Sequence, residues 1–256
     1  MRIWKEIVVS VCSLFAGRLS TLSILMYHSV SDSGAFFSVT PHDFEEHMRY
    51  LKERGYETIF ASDISDLSLG ASANTVCITF DDGYEDVYTE AFPILKRFSI
   101  KVSIFLITSE IGGSYTTSEG RTFKLLSEAQ IREMQESGLV EFMPHGHTHK
   151  KLHTVSDRER ESEIRLSTET IETLTGSRPS VFAYPRGRTT PEVVRELQKY
   201  GYTRALGVIP GLVRATSERY NLPRNAVDRN VSFSEFKLKI SDALDTYLAL
   251  TRLFRS

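Results

Sequence analysis

Residues 75–83 read Thr-Val-Cys-Ile-Thr-Phe-Asp-Asp-Gly. The first six are apolar or β-branched, as in a strand buried on both faces, and the run stops at two carboxylates and a glycine. Similar short runs recur at Leu22–Tyr27, Glu57–Phe60, Val102–Thr108, Leu139–Met143, Val181–Tyr184 and Thr203–Gly207, with a weaker one at Asn221–Arg224. Helix signals fall between them. Thr40 precedes Pro41, a cap and first-turn pair, and Phe44, Met48 and Leu51 follow on one face. Ser127 and Gln130 have capping-box spacing ahead of Ile131 and Met134, and Gly138 closes that helix. A charged helix is predicted over Ser156–Leu174 with Gly176 as its stop, another from Thr190-Pro191 to Gly201, and a last one from about Ser232 to Leu253. Such alternation predicts an α/β fold whose parallel sheet has helical crossovers. Seven or eight βα units within 256 residues favour a closed barrel, formed as a single domain, over an open sheet. No linker or internal repeat divides the chain. Ser109–Phe123 is polar and glycine-rich and reads as a long loop lining a site.

Composition narrows the function classes. Hydrophobic residues are 41% and charged residues 25%, which excludes a disordered or fibrous chain. The formal net charge of −2 and the lack of a polybasic tract argue against nucleic acid as a partner. Cys12 and Cys77 lie in apolar contexts and read as buried hydrophobes, with no disulfide framework. Residues 1–21 are predicted to form an N-terminal amphipathic helix, with Trp4, Ile7, Val8, Val11, Leu14, Phe15 and Leu19 on one side. It would pack on the domain or lie peripherally on a membrane. A cleaved signal covering residues 1–16 is the alternative. The first reading places the protein in the cytoplasm or on the inner membrane, and the second outside it. The apolar run is too short to span a bilayer. Residues 22–256 are expected to be the catalytic domain, and nothing in the sequence indicates an oligomeric state.

Barrels carry their chemistry at the C-terminal ends of their strands. Those ends hold His28, Asp81-Asp82-Gly83, His145 onward, Pro185-Arg186-Gly187 and Arg224. Adjacent carboxylates at a strand end point in different directions, so one can bind a metal while the other faces a reacting water. A turn or a helix cap is the alternative for this triplet taken alone. Four of the seven histidines, His145, His147, His149 and His153, fall within nine residues. A spacing of four puts His145 and His149 on one face of a helical turn, close enough to share a cation. A strand-end carboxylate would complete an N/O ligand set with open positions, the pattern of a catalytic divalent site. A histidine-rich surface loop is the alternative. His147 is expected to project away from the pair, and His153 to sit at a helix entry.

On these residues the chain resembles the polysaccharide deacetylase family, the NodB-homology or carbohydrate esterase family 4 group. Thr79-Phe80-Asp81-Asp82-Gly83 is similar to its first signature, and His145, His149 and Leu152 to its second. The opening ILMYHSVSD, the stretch VTPHDFEEHMRYLKERGY, and the segments FAYPRG and NLPRNAV resemble the branch of poly-N-acetylglucosamine deacetylases and capsule or lipopolysaccharide enzymes. The resemblance runs from about Leu22 to about Val227. It implies a distorted (β/α)7 barrel that hydrolyses an N-acyl, foremost N-acetyl, group on an amino sugar of bacterial surface glycans. It further implies Asp82, His145 and His149 as ligands of one divalent ion, most often zinc, and Asp81 as general base. A small or nucleotide-linked N-acyl sugar as the substrate of a deformylase or amidase, and a non-catalytic carbohydrate-binding relative, are the alternatives. Two departures from the family pattern stand out. Ala183 occupies a position where the family often has an arginine that orients the base, leaving Arg186 or Arg224 to do so. The family's late Leu-x-x-His motif is absent, which makes His28 the candidate acid, with a structural hydrogen bond beneath the site as its other reading. Tyr184, through a nearby backbone N–H, and Tyr84 are the expected oxyanion- or substrate-facing residues.

Overall fold

The computed structural model describes residues 9, 12, 19–64, 74–117 and 120–253. The strands that build the barrel and its edge, all parallel, are in chain order β1 (Leu22–Tyr27), β2 (Glu57–Ile59), β3 (Thr75–Asp82), β4 (Val102–Leu106), β5 (Val140–Pro144), β6 (Val181–Ala183), β7 (Arg204–Leu206) and β8 (Asn225–Ala226). Seven of them close a distorted barrel. β8, β1, β3, β4 and β5 are hydrogen-bonded in that order. β6 packs beside β5 and pairs with β7. Leu206 of β7 bridges Leu222, just ahead of β8. β2 lies outside the ring and pairs with the first half of β3. β1 and β3 are buried at every residue, the consequence of cover on both faces.

The helices follow from their caps. In α1 (Pro41–Glu53) Thr40 Oγ1 accepts the Asp43 N–H, and Phe44, His47, Met48 and Leu51 are buried. The next helical stretch, which no start signal announces, opens with a π-turn at Val87–Ala91 and continues as α2 (Phe92–Phe98). Pro93 has no N–H to give the preceding turn, and this loosens the ladder there. Reciprocal capping boxes start α3 (Glu128–Glu136) at Ser127 and α4 (Asp157–Thr175) at Ser156. Gly176 ends α4 in the left-handed conformation. Helix α5 (Pro191–Lys199) begins at its first-turn proline.

Two expectations change. The single C-terminal helix is two, α6 (Phe233–Lys239) and α7 (Ala243–Leu253). Tertiary partners break it: Ser23 Oγ bonds the Lys239 carbonyl and Tyr56 Oη the Ile240 carbonyl, while the Asp242 carboxylate accepts the Ser20 N–H. The stretch 109–123 is not a plain loop, because Ser114–Thr116 pairs antiparallel with Thr122–Lys124. Of the helix expected over residues 1–21, Val9 and Cys12 are helical and buried, residues 19–21 are not helical, and the others lie outside the described residues. Both cysteines are free. Among the described residues no helix is long and apolar enough to cross a membrane.

Strand register sets the site. Asp81 is level with Phe105, and Asp82 with Leu106. Leu106 is level in turn with Pro144, and its carbonyl accepts the His145 N–H at 2.8 Å. Asp82 and His145, far apart in sequence, thus meet at one rim of the barrel.

Candidate active site

β3 delivers Asp81 and Asp82 to that rim through two successive left-handed residues, Asp82 at φ 72° and Gly83 at φ 81°. A Cβ on Gly83 would lie 2.5 Å from Leu106 Cδ2, so only glycine fits the turn. This turn separates the two carboxylates. Asp81 receives a two-pronged bond from Arg224, Nη1 to Oδ1 and Nη2 to Oδ2, both 2.7 Å. Both residues are buried. Burial would raise the Asp81 pKa. The Arg224 charge, then His145, the Arg224 hydrogen bonds and His28 outweigh it and hold the carboxyl well below the ordinary range. Arg224 is itself fixed by Nε on the Gly207 carbonyl at 2.7 Å and by Nη1 on Thr79 Oγ1 at 3.2 Å. Of the two arginines left open by the sequence, Arg224 orients Asp81.

The histidine pair converges by a route other than the helical turn expected. Residues 145–151 form an irregular bend in which Gly146 has φ 81° and His149 φ 59°. The two imidazole centroids end 5.0 Å apart. Glu163 of α4 braces this bend: its buried carboxylate accepts the N–H groups of His147 at 2.9 Å and Thr148 at 2.8 Å, together with the Thr148 hydroxyl. No sequence motif marks Glu163, which is one of several charged residues on a charged helix. His145 Nδ1 lies 2.8 Å from the Ala183 carbonyl, so it carries the proton and leaves Nε2 as a lone pair. His149 Nδ1 bonds Tyr115 Oη at 3.0 Å. Tyr115 comes from the antiparallel ribbon and was not legible as a site residue. Burial, opposed mainly by Asp81, lowers the His145 pKa to about 4. Burial and then Arg186 bring His149 to about 4. Both rings are therefore neutral, the form that ligates a cation.

Asp82 Oδ1 faces His149 Nε2 at 3.5 Å and His145 Nε2 at 3.6 Å. It is buried and has no hydrogen-bond partner. An orphaned carboxylate oxygen is costly unless something positive completes it. The three ligand atoms lie within 4.8 Å of one another. Two imidazole lone pairs and one carboxylate around a common point fit a divalent cation with open coordination positions.

The other predicted residues divide. His28 is half-buried and lines the same recess, of about 120 Å³, as Asp81, Asp82, His145 and His149. Arg186 also lines it and makes a hydrogen bond to Tyr115. Arg186 has no bond to Asp81 among the described contacts. Tyr84 is buried against Phe37, and its hydroxyl faces Asp82; burial and then that carboxylate push its pKa far up. It lines the recess beside that carboxylate. Tyr184 lines the recess as well. Its N–H is spent on the Leu206 carbonyl at 3.2 Å and its hydroxyl on the Tyr220 carbonyl at 2.8 Å, so neither is free to donate to substrate. His147 turns away, with Nδ1 on Thr108 Oγ1 at 3.0 Å. His153 lies outside the recess.

Comparison with known proteins agrees with this geometry. Residues 69–205 match the family described as polysaccharide deacetylase. YxkH of Bacillus subtilis (strain 168), which carries that family's name, is 32% identical over 218 residues, covering 84% of this chain and 74% of its own length. Poly-beta-1,6-N-acetyl-D-glucosamine N-deacetylase of Escherichia coli (strain K12) is 28% identical over 84% of this chain, which spans 38% of that protein's length. The crystal structure of a polysaccharide deacetylase from Bacillus cereus superposes with a TM-score of 0.75 at 26% identity, covering 87% of this chain and 70% of that one. With the barrel, the paired aspartates and the histidine pair at its rim, these likenesses establish that the chain belongs to the polysaccharide deacetylase family and is a hydrolase of that class, acting on a carbon–nitrogen bond.

Proposed function

We propose that this protein removes the N-acetyl group from an acetylated amino sugar of a bacterial surface glycan, with one divalent cation, zinc by the chemistry of the ligands, held by Asp82, His145 and His149. The observation that carries this reading is the division of labour at the end of β3: Asp82 faces two neutral imidazoles while Asp81, its neighbour, is locked by Arg224. A likeness to the poly-N-acetylglucosamine deacetylase of E. coli supports the substrate class.

A cation bound there supplies Lewis acidity toward the acyl oxygen and toward water. Asp81 is ionised throughout the physiological range, which suits a proton acceptor. Arg224 also makes it a weak base, so it works on water that is already acidified. Arg224 holds both Asp81 oxygens in the plane of its fork and so fixes where the proton arrives. As the carbonyl carbon gains the water oxygen, the C–N bond breaks, and the departing amine must be protonated to leave. His28, on the same recess, is the donor in this reading. Acetate and a free amino sugar result. The test is deacetylation of N-acetylglucosamine oligomers by metal-loaded protein. Asp81→Asn should retain stoichiometric metal and lose at least about 10²-fold in turnover. His28→Gln should slow unactivated amides more than substrates with an activated leaving group. Loss of metal from Asp81→Asn, or unchanged turnover in both variants, refutes the assigned roles.

A further inference from the structure

Beside the acyl recess lies a second, open one of about 490 Å³, lined by Lys151, His153, Arg186 and Arg188. We propose that it is a subsite for an oxyanion, a phosphate or carboxylate borne by the amino-sugar substrate. This rests on the deacetylase reading and adds the substrate's charge to it.

Four observations support the assignment. The lining is four basic side chains with no carboxylate, on a chain whose net charge is −2. Among the described residues none of Lys151, Arg186 and Arg188 forms an ion pair, whereas most exposed arginines elsewhere, such as Arg165 and Arg195, do. Like charges gathered without a counter-charge repel, and such a local cost is expected where a ligand relieves it. His153 Nδ1 is buried without a hydrogen-bond partner. The turn that presents the two arginines is pinned: Arg186 has φ 63° and Gly187 φ 70°, and a Cβ on Gly187 would meet Val208 Cγ1 at 2.3 Å. A backbone held in that conformation at Arg186, a residue type that seldom adopts it, is a strain retained for placement.

Arg186 lines both recesses and so borders the acyl site and the basic one alike. A sugar whose acyl group enters beside Asp82 and His149 would set a substituent against the arginines. Two guanidinium forks match the planar or tetrahedral oxygens of carboxylate or phosphate, and Lys151 adds a point charge.

Calorimetric titration of the metal-loaded protein with N-acetylglucosamine and with N-acetylglucosamine 1-phosphate tests this directly. The phosphate ester should bind at least tenfold more tightly, with the advantage shrinking as salt is raised. Lys151→Ala/Arg188→Ala should cut the difference at least severalfold, and Lys151→Arg/Arg188→Lys should preserve it, with thermal melts showing that each variant is folded. An N-acetylglucosaminyl-glucuronate disaccharide tells carboxylate from phosphate. Equal affinity for charged and neutral sugars overturns the proposal. So does a charge preference undiminished in Lys151→Ala/Arg188→Ala, which would mean that the phosphate is held elsewhere. If neither sugar binds, the deacetylase reading has failed, and inorganic phosphate decides the subsite alone: binding lost in the alanine pair supports it, and no binding overturns it.

Discussion

Replacing Arg224 by alanine strips two 2.7 Å charged hydrogen bonds from a carboxylate that is 2% exposed. Each such bond contributes about 1.5–3 kcal/mol, and stranding one partner of a buried pair costs about 3–5 kcal/mol. At about 2–4 °C per kcal/mol for a domain of this size, the melting temperature should fall by roughly 6–20 °C. The chemistry should fail as well. With the guanidinium gone, burial is opposed only by the nearby histidines, the Asp81 pKa rises, and the carboxylate loses the fork that aims it. Arg224→Lys keeps a charge but not the fork, so it should lose about 1.5–3 kcal/mol and still depress turnover. The assay is chemical denaturation of the four members of the cycle built from Asp81→Asn and Arg224→Ala, with metal content and deacetylation measured on each. Once Asp81 is neutral, removing Arg224 should cost about 2–3 kcal/mol less than it does in the native protein. A loss below about 1 kcal/mol for Arg224→Ala, or additivity in the cycle, refutes the view that the pair holds the base.

Glu163→Gln replaces an all-acceptor carboxylate that takes three donors with an amide that can accept at only one end. The bend between His145 and His149 should loosen, and metal affinity should drop about 10–100-fold in a competition titration, with the fold intact. Lowering pH should destabilise the metal-free protein between about 6.5 and 4. His47, His145 and His149 are each held near 4 by burial, so the unfolded chain binds more protons in that window and stability rises with pH through it. Asp86, raised to about 6, and Glu141, also raised, both chiefly by burial, work in the opposite direction but are two groups against three. Urea midpoints from pH 4.5 to 7 in the presence of a chelator check the slope; a flat profile would show that the imidazoles are not held neutral.

The alternation of strands and capped helices was legible because those signals are local. Val102–Leu106 is a run of buried residues, all apolar but Ser103, and Ser127 with Gln130 closes its box within one turn. The C-terminal helix was misjudged because its break depends on Ser20, Ser23 and Tyr56, which no window around residue 240 contains. The ribbon at 114–124 is local, but the contact that brings its Tyr115 to the site, Oη with His149 Nδ1, spans 34 residues.

The sequence by itself determined the barrel class, the family resemblance, and the residue types at the strand ends, including Asp81, Asp82, His145, His149 and His28. These follow from periodicity and from motifs a few residues long. Only the tertiary structure decided which arginine holds Asp81, that Glu163 braces the histidine bend, that Tyr184 has no free donor, and that Asp82 Oδ1 is left facing two imidazole lone pairs. Each of these is a contact between groups distant in the chain. Asp81 and Arg224 are 143 residues apart, and what brings them together is the ring closure that sets β8 beside β1, and β1 beside β3.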